Sequence, residues 1–81
     1  MRLYLQTPPD EQDLKYYQLV LQADLMDGWN LIRQWGWQGE RGTMKKHHFD
    51  DYSEVLKAVT FWKEKQVKSG FIVVFRSGEE E

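Results

Sequence analysis

From Lys15 to Gln22 the odd positions Tyr17, Leu19 and Leu21 alternate with Tyr16, Gln18, Val20 and Gln22, the period of two of a half-buried strand. Asp27-Gly28 is a strong turn dipeptide. The alternation then resumes over Trp29–Trp37, with Trp29, Leu31, Arg33, Trp35 and Trp37 on one side and Asn30, Ile32, Gln34 and Gly36 on the other. Together the two segments predict a hairpin whose second arm carries an arginine on its apolar side. Gly39 and Gly42 can supply the positive φ of another reversal, after which Thr43–Phe49 alternates Met44, Lys46 and His48 with Lys45, His47 and Phe49 as a third, more polar strand. Ahead of these, Arg2–Gln6 alternates briefly until Thr7-Pro8-Pro9-Asp10. Proline cannot donate to a ladder, so an edge strand and a loop are expected there.

The rhythm changes after Phe49. Asp51 followed by Glu54 has the spacing of a capping box and predicts a helix from Tyr52. On a 100° step, Tyr52, Val55, Leu56, Val59, Trp62 and Gln66 form its core stripe, while Ala58, Phe61 and Lys65 point elsewhere. Ser69-Gly70 ends the helix, with Gly70 suited to a left-handed cap and Lys63, Lys65 and Lys68 to the negative helix end. Phe71-Ile72-Val73-Val74-Phe75 is a continuous apolar run of strand length, expected to be buried or covered by a partner.

Length and composition narrow what these elements can be. Eighty-one residues fit a single domain over 1–81, with its core at about 14–76 and an acidic tail at 79–81. Only about 60% of the extended chain's surface is buried at this size, so the core must be dense. Four Trp, four Tyr and four Phe supply that density, each burying roughly 150–250 Å² when enclosed. The absence of cysteine excludes disulfides, thiolate zinc sites and cysteine nucleophiles. No membrane-length apolar run is present and Met1–Gln6 lacks signal-peptide character, so a cytoplasmic protein is expected.

The net charge of −2 argues mildly against a dedicated polyanion binder, but its distribution changes that picture. Asp10, Glu11, Asp13, Glu79, Glu80 and Glu81 hold six of the thirteen acids. Between Leu14 and Gly78, Lys and Arg outnumber acids ten to seven, so the middle is basic and the ends acidic. Catalytic chemistry has no visible constellation. His47 and His48 are neighbours on a strand and face opposite ways, so they read as a surface pair, with Asp50 and Asp51 nearby. Ser53, Ser69 and Ser77 have no plausible base, and the glycines form no phosphate-cradling pattern. No enzyme, metal or cofactor is expected. What stands out is an aromatic and basic strip of Trp35, Trp37, Arg33, Arg41, Lys45 and Lys46. An indole there could stack a base while the cations hold phosphates. The alternative for Trp35 is packing beneath the helix against Val59 and Trp62.

Tyr16-Tyr17-Gln18-Leu19, the run Trp29–Gly36, then Gly39, Gly42, Lys45 and Phe49, the helix positions Asp51, Glu54, Leu56 and Lys57, and finally Gly70-Phe71 resemble, in order and spacing, the WGR domain. The resemblance implies an α+β fold, an open antiparallel sheet of about four to five strands with one helix packed on one face, in agreement with the periodicity. In the similar domain of DNA-dependent poly(ADP-ribose) polymerases a non-catalytic module contacts DNA near a break, which carries the stacking role to Trp35 and the spacer to Gly36. Short bacterial relatives, some described as molybdate-metabolism regulators, look most similar. Trp37 stands where the motif has Arg, exchanging five N–H donors and a permanent charge for one N–H and a flat face. Gln66 is a lesser departure, since relatives often have Lys there. Two functions are therefore expected to compete. One is weak DNA binding through the strip. The other is protein interaction or homodimerisation through Phe61 or the Ile72–Phe75 edge.

Overall fold

A computed structural model describes residues 1–10 and 12–78. Strands β1 (Arg2–Gln6), β2 (Lys15–Ala23), β3 (Trp29–Trp37), β4 (Thr43–Phe49) and β5 (Ile72–Ser77) form one antiparallel sheet in the order β4-β3-β2-β1-β5. Helix α1 (Tyr52–Lys68) packs on one face. The expected α+β architecture of an open antiparallel sheet and a single helix is therefore present. The acidic tail Glu79–Glu81 lies outside the described residues.

The period-two pattern becomes the division between the covered and open faces of this sheet. Leu3, Leu5, Tyr17, Leu19, Leu21 and Leu31 meet Val55 and Val59 of α1 in one core, with Leu5, Leu31 and Val55 wholly enclosed. Each such enclosure stabilises the fold by about 1.5–3 kcal/mol relative to exposure. Asp51 caps α1 by accepting from Ser53 N at 3.2 Å. Of the expected stripe, Val55 and Val59 are buried and Trp62 and Gln66 half-buried. Tyr52 and Leu56 are exposed, whereas Ala58, assigned elsewhere by the 100° step, packs against the core. β-Sheets twist, so a helix lying on one does not keep a single contact stripe along its length.

One strand expectation is corrected. The Arg2–Gln6 segment is not an edge: β5 pairs outside it, Leu5 opposite Val73 and Tyr4 opposite Phe75, with Val74 bulged between these pairs. β5 is an edge strand of the sheet. Phe71 and Val73 of the apolar run pack against the core, while Ile72, Val74 and Phe75 are exposed, so the chain itself covers only part of the run.

Candidate functional site

The alternation of β3 aims Arg33, Trp35 and Trp37 at the face that carries α1. The register with β2 sets Tyr17 beside Trp35 and Lys15 beside Trp37. Helix α1 covers the sheet only partly, and its last turns bring Trp62, Lys65 and Gln66 over this end of the hairpin. Between helix and sheet lies an open groove of about 490 Å³, closed at one side by Phe71.

Its aromatic walls are ordered by ring contacts. Tyr17 stacks on Trp35 with centroids 5.8 Å apart and planes 16° from parallel, and meets Phe71 edge-on at 6.3 Å. Trp35 is half-buried, and both Tyr17 and Arg33 already lie against its ring. It is thus neither swallowed beneath the helix nor fully open. Trp37 is 46% exposed, with the Lys15 ammonium 4.9 Å from its ring centroid.

Arg33 is 8% exposed. Its Cζ lies 3.8 Å from the Trp62 ring and 5.0 Å from that of Trp35. Nη1 donates to the Tyr17 hydroxyl at 3.1 Å and Nε to His47 Nε2 at 3.2 Å. His47 therefore presents an acceptor nitrogen to a cation. Burial first, then the nearby Arg33 and Lys45 charges, hold its pKa below the ordinary histidine value. Lys65 lies 5.2 Å from the Trp62 ring. Three cations thus line the groove; among the described residues no carboxylate lines it, though Asp13 lines the adjoining hollow that shares Lys15, Trp37 and Phe71.

The structure divides the six candidate residues of the strip. Arg33, Trp35 and Trp37 line the groove together. Lys45 stands opposite Arg33 on the same face, exposed beyond the groove, whereas Lys46 pairs with Ile32 and belongs to the other face. Arg41 sits on the connecting turn, its backbone carbonyl accepting from Tyr16 Oη at 2.6 Å and from Gln34 Nε2 at 2.8 Å. Lys15, Trp62 and Lys65 escaped the sequence reading. The strand register would have nominated Lys15 once its pairing with Trp37 was known, but only the packed helix reveals the other two.

Gly36 has a separate task. Its backbone lines the groove, while a Cβ on its other side would stand 2.8 Å from Gly42 Cα and 3.7 Å from the Tyr16 ring. The turn is thereby folded down onto Tyr16, which is 8% exposed although it lies on the side without a helix. His48, on that same side, lies 3.4 Å from Asp24 and 3.2 Å from Asp50. A hydrogen bond from the Met26 amide, then one from Asn30, holds the Asp24 carboxyl below its usual range. No group of three or more potential metal ligands occurs among the described residues. Among them, too, no helix is long and apolar enough to cross a membrane.

No curated protein and no solved structure matches the chain significantly. A family model described as WGR domain matches residues 1–77. That match runs through all five strands and α1 and takes in the Trp35-Gly36 pair, so the chain belongs to the WGR domain family, usually non-catalytic modules associated with nucleic-acid binding.

Proposed function

We propose that the chain binds nucleic acid, DNA in the first instance, through this groove. The reading rests on one observation: aromatic walls and three cations share an open groove whose lining, among the described residues, contains no carboxylate. Trp37 is the platform for an unstacked base, since its ring is the most accessible indole there, and Trp35 forms the adjoining wall. Lys15, Arg33 and Lys65 attract phosphate oxygens. Lys45 and Arg41 extend the cationic path outside the groove, and Lys46 adds to the field from the far face. Stacking of one base on an indole contributes about 1–3 kcal/mol.

Tryptophan fluorescence, titrated at low salt with a short 5′-phosphorylated duplex and with the matching single strand, tests the reading. Quenching that saturates in the micromolar range is expected. No quenching up to high micromolar nucleic acid rejects it. Trp37→Ala should weaken binding by about 1–3 kcal/mol; because the residue is 46% exposed, the variant should still fold, which circular dichroism checks.

A second reading, a protein-interaction surface or homodimer, is favoured by β5. Its outer edge carries Ile72, Val74 and Phe75 exposed, and Phe61 on the helix is 57% exposed. Sedimentation at high micromolar concentration decides the self-association form. A strict monomer, unaltered by Phe61→Ser or Val74→Lys, removes it.

A further inference from the structure

A guanidinium keeps its charge at every accessible pH, so burying one demands a counter-charge or a substitute for it. Arg33 is 8% exposed. The partners found for it are the Tyr17 hydroxyl, the accepting nitrogen of His47 and the rings of Trp35 and Trp62. These satisfy geometry and polarisation but cancel no charge. No carboxylate among the described residues forms an ion pair with it. Nη2 has no acceptor among those residues and is not sealed from solvent, and Arg33 belongs to the groove lining. The buried cation thus opens on the one side where a ligand can arrive.

Two further cations line the same groove. Lys15 rests over Trp37 at 4.9 Å and Lys65 over Trp62 at 5.2 Å, each on a flexible stem that can leave its indole. We infer that Arg33, Lys15 and Lys65 form an oxyanion subsite that takes a single phosphate group. The Arg33 Nη2 edge donates to one oxygen from the groove floor and the two ammonium groups close on the others. This deepens the nucleic-acid reading and rests on it for the attached base, which lies on Trp37. It also moves phosphate recognition from the third motif position, where Trp37 has no charge, to a residue four positions earlier on the same face of β3. The phosphate can come from a free mononucleotide or from a strand, and the chemistry is shared.

The full chain, labelled with ¹⁵N, allows the Arg33 Nε–H and the indole N–H signals to be followed together. Probes are adenosine 5′-monophosphate, adenosine, and an unmodified single-stranded oligonucleotide. The monophosphate should shift both the Arg33 and Trp37 signals, and adenosine should bind at least about tenfold more weakly, as expected on losing charge-assisted hydrogen bonds. Arg33→Lys keeps the charge and loses the fork, so its affinity for the monophosphate should fall. Because that site is buried, the exposed pair Lys15→Gln with Lys65→Gln serves as the second variant, and it too should weaken the monophosphate without weakening adenosine. Equal affinity for monophosphate and adenosine overturns the subsite. Oligonucleotide binding that leaves the Arg33 signal unmoved and is unchanged in the lysine variant also overturns it, while nucleic-acid binding survives. A monophosphate response without any oligonucleotide binding supports the subsite with a free nucleotide as its ligand, and the polymer reading alone fails.

Discussion

At the scale of single residues, the hairpin end is held by contacts that tolerate little change. Gly42 has φ +73° and a Cβ there would collide with the Trp35 carbonyl and approach the Tyr16 hydroxyl to 2.8 Å. Gly42→Ala should therefore destabilise the protein by about 1–3 kcal/mol. For a chain of this size that lowers the melting temperature by roughly 4–8 °C per kcal/mol, measurable by circular dichroism. Leu31→Ala, at a wholly enclosed position, should cost about 2–5 kcal/mol. His47 gives a pH signature. Its folded pKa lies below the unfolded value, so the unfolded chain binds the proton first as pH falls. The stability from neutral His47 is complete above about pH 6.5, the ordinary histidine value, and declines as pH falls below it toward the folded pKa. Denaturant midpoints of the native chain and His47→Gln, compared between pH 7.5 and 5.5, should converge at the lower pH; parallel curves would refute this assignment. The need for glycine at 39 and 42 was readable from the turn. The burial of Arg33 was not, because alternation assigns a side chain to a face without saying what packs over that face.

At the scale of elements, local periodicity located β2, β3, β4 and the start of α1, since each is governed by contacts within a few residues. The position of Arg2–Gln6 in the sheet was illegible for the opposite reason. Pairing of β1 with β5 joins the two ends of the described chain, and nothing within either segment encodes its partner. The prolines that suggested an edge lie in the loop after β1, where they interrupt no ladder. The helical wall of the groove was hidden in the same way, because Trp62 and Lys65 reach it only through the docking of α1 on the hairpin. The helix cap is a local feature with a local test. Asp51→Ala removes the acceptor for Ser53 N and should cost about 0.5–2 kcal/mol. Thermal melts of Asp51→Ala and Asp51→Asn distinguish this cap from a general charge effect, for the Asn variant should retain most of the stability.

At the scale of the whole molecule, charge is segregated by secondary structure. The strands carry Arg2, Lys15, Arg33, Lys45, Lys46 and Arg76 but no Asp or Glu, and the acids are left to loops, helix and tail. The chain should consequently be retained on heparin at low salt although its pI is near 5.6. Binding to a single strand should lose affinity with salt at a log–log slope near −0.7 for each phosphate neutralised, so about −2 if the three groove cations each meet one. A slope near zero, from the same titration repeated at several salt concentrations, would exclude phosphate contacts by those three. The close approach of Gly36 to Gly42 carries a consequence for how such a protein can diversify. A Cβ at Gly36 would meet Gly42 on the helix-free side, whereas the Trp37 side chain lines the groove, so the two neighbours meet different physical constraints. One is held by a backbone approach that leaves no room for a side chain. On the reading proposed above, an exchange at the other would alter what the groove can hold and leave that approach intact.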